Sequence, residues 1–162
     1  MRWIWIDRFE EFESGVRAVA VKNVTLAEDH LHDHFPDFPI MPASLLIEGM
    51  AQTAGILVGE ARKFEEKVIL AKLKRAVFHS LVQPGETIRH EATIEQITDS
   101  AASTTGRITV GDRLVGEVDI VFSHIDQNIG GLEFPEENFV FTADFMSLLN
   151  AFRQRSGERI SL

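Results

Sequence analysis

The sequence predicts an α+β fold in which a curved antiparallel sheet wraps around one long helix. Two observations lead to this class. A segment that starts near residue 42 is apolar on nearly every side of a helix, so it should be enclosed rather than lie on a surface. The second half of the chain then reads as successive strands joined by tight turns. A sheet wrapped around the helix is the simplest way to bury it.

The predicted elements follow one another in a simple order. The segment "VRAVAVKNV" (16–24) is rich in β-branched residues and predicts a strand buried on both faces. Pro42 suits the first position of the helix, where its missing N–H costs nothing. The last two strands should meet in a hairpin at Gly111 and Asp112. The strands of the second half are "VILAKLKRAVFH" (68–79), "TIRHEATIEQI" (87–97), "STTGRITV" (103–110) and "RLVGEVDIVF" (113–122).

Length and composition indicate one domain and exclude several classes of function. The chain has 162 residues, no cysteine and a formal net charge of −9. Disulfides and thiol chemistry are therefore excluded, and nucleic acid should be repelled. The opening of the sequence lacks the apolar run of a secretory signal. Glu48 and Gln52 interrupt the longest apolar region, so we expect no membrane span. The lack of cysteine fits a reducing compartment, so we expect a cytoplasmic protein.

Histidines are concentrated in "DHLHDHFPDFPIMP" (29–42), which contains His30, His32 and His34. In an extended segment these alternate side chains would point to one side, as metal chelation requires. However, prolines follow at once and no second cluster of histidines and acids lies downstream. We therefore predict no bound metal and expect His30 and His32 on the loop surface. No role is assigned to the isolated histidines of the predicted strands, which are His79, His90 and His124.

The stretch "HFPDFPIMPASLLIEGMAQTAG", His34 to Gly55, resembles the signature of the bacterial 3-hydroxyacyl-acyl-carrier-protein dehydratases of the FabZ type. In that family a His-Phe-Pro loop leads into a central helix that carries a glutamate and then Ala-Gln. The similarity continues through "AVKNVT" upstream and "QPGE" downstream, over roughly residues 3 to 125. The matching positions are His34, Phe35, Pro36, Pro39, Met41, Pro42, Leu45, Glu48, Ala51 and Gln52.

This resemblance implies a hotdog fold and a cofactor-free reaction. The expected reaction is dehydration of (3R)-hydroxyacyl-acyl carrier protein to trans-2-enoyl-acyl carrier protein. In the family the histidine and the acid of one site come from opposite subunits. The chain should therefore form at least a homodimer. A larger assembly, such as a trimer of dimers, stays open.

The chemistry gives the matching residues distinct roles. His34 would act as the base for the α-proton, because imidazole is largely neutral at pH 7. Glu48 would protonate the departing hydroxyl, and an enclosed apolar helix favours the neutral carboxyl that this step requires. The N–H of Ala43 at the helix start is a candidate oxyanion donor. Gln52 would support Glu48 or the loop by hydrogen bonding and so help to position the substrate, rather than react itself.

The chain departs from the family pattern at several positions, and two other functions stay open. Asp37 and Ala43 occupy positions where the family has glycine, and Ser44 replaces a usual valine. One alternative is a catalytically weak or inactive hotdog module that binds acyl chains. The other is a hotdog acyl thioesterase, although the pairing of His34 with Glu48 favours the dehydratase.

A basic window stands out in this acidic chain. Between residues 62 and 75 basic side chains far outnumber acidic ones. The window predicts either an ordinary solvated surface or a docking surface for acyl carrier protein, which is acidic. Its members are Arg62, Lys63, Lys67, Lys72, Lys74 and Arg75.

The resemblance ends near residue 125. We therefore divide the chain into a hotdog domain (1–125) and a C-terminal extension (126–162). An amphipathic helix is predicted at about 142–155, because Phe145, Leu148, Leu149 and Phe152 form one apolar stripe. This helix would pack on its own subunit, support oligomerisation or border the acyl tunnel.

Overall fold

The computed structural model describes residues 4–125, 140–142, 146–147 and 149–150. Its strands form one antiparallel sheet in the order β1-β2-β4-β5-β6-β3, with the long helix α2 packed against it. The predicted α+β hotdog class is confirmed. None of the described helices is long and apolar enough to cross a membrane. The elements are β1 (Arg8–Glu13), β2 (Arg17–Asn23), α1 (Asp29–Asp33), α2 (Ala43–Ala61), β3 (Lys67–Phe78), β4 (Thr87–Ile97), β5 (Ala101–Val110) and β6 (Arg113–Ile125).

The predicted strands of the second half and the buried strand β2 are all present. Ala18 to Val21 are fully buried, as expected for a strand covered on both faces. The β5–β6 hairpin turns at Gly111 and Asp112, and Gly111 has a φ of +54°. This left-handed conformation is one that glycine adopts at little cost, so the hairpin prediction is confirmed.

The start of α2 differs from the prediction by one residue. Pro42 is the residue before the helix, with an extended ψ of 137°, and Ala43 is the first helical residue. The carbonyl oxygen of Pro42 accepts hydrogen bonds from the N–H groups of Leu45 and Leu46. Pro42 therefore closes the first turn through its carbonyl, which is the role of an N-cap residue.

Strand β1 was not predicted, and its irregular pairing explains why. A β-bulge between Phe9 and Glu11 shifts the register against β2. As a result Phe9 and Phe12, three residues apart, both turn toward the core and pack edge to face. The bulge breaks the alternation of apolar and polar residues on which strand prediction depends.

The histidine-rich segment forms the short helix α1, and the extended conformation considered for it is wrong. Leu31 is buried and anchors this turn. Residues two apart on a helix point in different directions, so His30 and His32 separate. His32 is exposed as expected, whereas His30 is half-buried against the ring of Trp5, with ring centroids 5.1 Å apart. Burial lowers the pKa of His30.

The C-terminal extension is described only in part. Met146, Ser147, Leu149 and Asn150 are helical, and Leu149 is buried. Phe145, Leu148 and Phe152 of the predicted stripe lie outside the described residues. The division of the chain at residue 125 stays a prediction.

Candidate active site

Glu48 lies on the first half of α2 and reaches a pocket of about 290 Å³. The side chain is half-buried. The pocket is polar at Glu48 and Gln52, and the rest of its lining is apolar. Helix α2, strands β3 and β6, and the C-terminal extension supply these apolar residues, which are Ala51, Gly55, Ile56, Val68, Leu70, Phe122, Val140 and Phe141.

A chain of two hydrogen bonds orients the Glu48 carboxyl group. The backbone N–H of Trp5 donates to Oε1 of Gln52 over 2.8 Å. This fixes the orientation of the amide, so that Nε2 of Gln52 donates to Oε1 of Glu48, also over 2.8 Å. The other oxygen of Glu48, Oε2, has no hydrogen-bond partner among the described residues. Within the described part of the chain, one carboxyl oxygen is thus held by Gln52 and the other makes no hydrogen bond.

His34 follows α1 and is held in one tautomer. Its Nδ1 lies 3.0 Å from the carbonyl oxygen of Ile40, which can only accept a hydrogen bond. The N–H of Ile40 in turn donates to the carbonyl oxygen of His34 over 2.9 Å. In the neutral ring Nδ1 therefore carries the proton and Nε2 carries the lone pair, as a general base requires. The Phe35 ring stacks on the imidazole at a centroid distance of 4.5 Å.

The two positions where glycine is usual have ordinary backbone conformations. Among the described residues, Lys63 and Phe64 are the only non-glycine residues with positive φ. Neither Ala43 nor Asp37 therefore needs glycine for its conformation. Ala43 is exposed at the N-terminal turn of α2, and its N–H has no partner within the described part of the chain. Asp37 is exposed in the loop that follows His34.

The structure brings some of the predicted site residues together but not all of them. Glu48 and Gln52 share the pocket, while His34 is not among the residues that line it. Within the described residues there is also no group of three side chains suited to hold a metal ion. A single chain therefore presents the candidate acid Glu48 and the candidate base His34 at separate places.

His90 is a residue next to the site that the sequence analysis left without a role. Its ring is buried under α2, and a Cβ at Gly49 would lie 2.6 Å from it. Burial lowers the pKa of His90 to about 4. The ring is therefore neutral at pH 7, and it fits under the helix only because Gly49 has no side chain. The alternation of inward and outward side chains along β4 is the sequence signal that could have predicted this burial.

The six basic residues of the window differ in their surroundings. Arg62 binds Glu66 through two hydrogen bonds of 3.1 and 3.0 Å, and Arg75 binds Glu117 at 2.8 Å. Lys67 is buried, with an exposed fraction of 8 %. The others, Lys63, Lys72 and Lys74, are exposed. The free positive charge is thus concentrated after α2 and along β3.

Comparison with known proteins places the chain in a family. Residues 3–119 match the family described as FabA-like domain. The chain is 36% identical over 121 residues to the 3-hydroxyacyl-acyl-carrier-protein dehydratase FabZ of Caldanaerobacter subterraneus, covering 74% of this chain and 86% of the relative. It is 38% identical over 118 residues to the FabZ dehydratase of Clostridium acetobutylicum, covering 72% and 84%.

A solved structure supports the fold independently. The dehydratase heterocomplex ApeI:P from Xenorhabdus doucetiae aligns with a TM-score of 0.61 at 14% identity, covering 75% of this chain and 83% of that one. Together with the sheet order, the enclosed helix and the matched sequence from residue 3 to residue 119, these similarities show that the chain belongs to the FabA-like family.

Proposed function

We propose that this chain removes water from (3R)-hydroxyacyl chains carried by acyl carrier protein, giving trans-2-enoyl chains, in fatty-acid or related acyl-chain biosynthesis. The observation that carries the proposal is the carboxyl group of Glu48, oriented by Gln52 at the polar end of an apolar pocket. The relatives described above are named for this reaction. The reaction needs no cofactor. We place the enzyme in the cytoplasm, since a chain without cysteine suits a reducing compartment.

In the proposed mechanism His34 takes the α-proton. Its Nε2 carries the lone pair because Nδ1–H is bound to the carbonyl oxygen of Ile40. Removal of this proton places negative charge on the thioester oxygen. The N–H of Ala43, at the positive end of the α2 dipole, is the proposed donor to that oxygen.

Glu48 completes the elimination. Its Oε2–H donates a proton to the β-hydroxyl group, the C–O bond breaks, and water leaves as the C–C double bond forms. The carboxylate that results keeps its hydrogen bond from Gln52, so the charge that appears on Glu48 is stabilised where it forms. Proton exchange with solvent then restores neutral His34 and protonated Glu48.

We further propose that two chains associate through β3. This strand is at the edge of the sheet that the described residues form, so within that part of the chain one row of its backbone groups lacks a strand partner. It also exposes Leu70, Leu73 and Val77, with exposed fractions of 45%, 39% and 36%. Antiparallel pairing of two β3 edges around a two-fold axis would cover these side chains. Such pairing would bring a second chain close to the pocket, because Val68 and Leu70 of β3 line it. We propose that His34 of one subunit acts there with Glu48 of the other.

One assay tests the reaction against the two alternatives. The purified protein is incubated with a 3-hydroxyacyl thioester of acyl carrier protein. A dehydratase gives an enoyl product, detected by its absorbance and mass, while the thiol stays esterified. Release of free thiol would instead identify a thioesterase. Binding of the acyl chain without either product would identify an inactive binding module.

Charge reversal at Lys72 and Lys74 tests the docking proposal. The double change to Glu is expected to lower kcat/KM for carrier-bound substrate by about tenfold at low salt, because an acidic carrier would be repelled. A small-thiol analogue should be turned over at the normal rate, and the loss should shrink as salt is added. Sedimentation must show that the oligomer is unchanged, because both lysines lie on β3.

The matched control changes Arg8 on β1 and Arg107 on β5 to Glu. This alters the net charge of the protein by the same amount as the change at Lys72 and Lys74. It should leave the preference for carrier-bound substrate unchanged. Equal losses in both double variants, or equal losses on both substrates, would assign the window to ordinary solvation.

A further inference from the structure

The pocket that contains Glu48 has a wall that the family match does not cover. The FabA-like match ends at residue 119, yet Val140 and Phe141 line the pocket. They face residues of α2 and β3, including Gly55 and Leu70. The C-terminal extension therefore supplies part of the surface that surrounds the candidate acid.

Packing on α2 fixes the Phe141 ring. Phe141 is only 8 % exposed, and a Cβ added at Gly59 would lie 2.5 Å from its Cζ atom. The ring also packs edge to face on Phe64, with centroids 5.0 Å apart. Phe141 thus occupies a space that exists because residue 59 of the helix has no side chain. The enclosed ring thus forms part of the pocket wall.

The pocket runs along α2 away from the reacting group. Its helical lining extends from Glu48 to Ile56, a distance of about 12 Å at the helical rise of ~1.5 Å per residue. Gly59, where the Phe141 ring packs, follows one turn later. Glu48 and Gln52 are at the polar end, so an acyl chain that reacts at Glu48 would extend along the apolar lining toward Phe141.

We propose that Val140 and Phe141 determine which acyl chains the enzyme accepts, by closing the pocket to long ones. The inference rests on the proposed dehydratase function. The pocket of about 290 Å³ is close to the lower end of the ~300–1,000 Å³ typical of small-molecule sites, so the position of this wall decides a large part of the room left for an acyl chain. Val140 and Phe141 are specificity-determining residues, and the chemistry belongs to His34 and Glu48.

Two substitutions with opposite effects test the proposal. Phe141→Ala should raise the ratio of kcat/KM for long over short 3-hydroxyacyl thioesters by about tenfold or more. The space that the ring leaves would bury the additional methylene groups of a long acyl chain. Val140→Phe should lower the same ratio. Leu149→Ala is the control, since Leu149 is buried in the same extension but does not line the pocket. It should reduce stability and leave the ratio unchanged.

Binding separates this proposal from the proposed reaction. Affinities for saturated acyl thioesters of increasing length are measured by calorimetry on the wild type, Phe141→Ala and Val140→Phe. If no thioester is dehydrated but the longest acyl chain that binds differs between the variants, the proposed reaction is wrong, while the proposed role of Val140 and Phe141 is supported. If Phe141→Ala does not fold, Val140→Phe decides. An unchanged length limit in the variants that fold, or an equal shift in Leu149→Ala, overturns the proposal.

Discussion

His34→Ala and Glu48→Gln are each expected to lower kcat for dehydration by at least about 10²-fold, the usual scale for a lost general base or acid. Alanine removes the Nε2 lone pair that would accept the α-proton. Glutamine keeps the shape of Glu48 and its contact with Gln52 but has no acidic proton to donate. Single-turnover rates with a 3-hydroxyacyl thioester measure both effects.

His32→Ala serves as the control for the loop, because His32 is exposed near His34 and its ring bonds only to the carbonyl oxygen of Leu26 among the described residues. It should keep near-normal activity. Melting temperature and sedimentation should be unchanged in the two active-site variants, since neither side chain fills the core. Activity near the wild-type level in His34→Ala or Glu48→Gln would remove that residue from the mechanism.

Mixing the two inactive proteins should restore activity. If His34 of one subunit acts with Glu48 of the other, a mixed dimer of His34→Ala and Glu48→Gln contains one complete site. Random exchange makes about half of the dimers mixed, so total activity should recover to about a quarter of the wild-type value. The assay follows enoyl product after subunits have been exchanged by mild denaturation and refolding.

A chain carrying both substitutions provides the control, because its mixture with either single variant contains no complete site. That mixture should stay inactive. If subunit exchange is verified by mass and the two single variants still show no recovery, both groups of each site come from one chain. The proposed sharing of each site between two subunits would then be wrong.

The parts of the fold that the sequence predicted are those with a strong local pattern. Helix α2 is apolar almost all round apart from positions such as Glu48 and Gln52, and strands β4 to β6 alternate clearly, so the residue period and the turn residues were sufficient to predict these elements. Strand β1 was missed because its bulge moves Phe9 and Phe12 out of alternation. Helix α1 was missed because it is short and made of residues that are common in loops.

Contacts in the candidate site could be predicted when both residues lie in one sequence motif. Contacts between distant segments could not. Glu48 and Gln52 are one helical turn apart, so their hydrogen bond follows from spacing alone. The backbone of Trp5, which orients Gln52, comes from a segment with no sequence signal for that contact. His90 fits under Gly49 only in the tertiary structure, and so does Phe141 over Gly59. Such contacts between distant parts of the chain leave no local pattern.

The exposed β3 edge has a consequence for handling the protein. Its backbone groups that pair with no described strand, together with the apolar side chains of Leu70, Leu73 and Val77, form a template on which another unpaired strand can add. A second copy that occupies this edge would end such growth after one step. A variant that only weakens association should therefore precipitate on expression rather than yield well-behaved monomers, and subunit pairing would also protect the protein against aggregation.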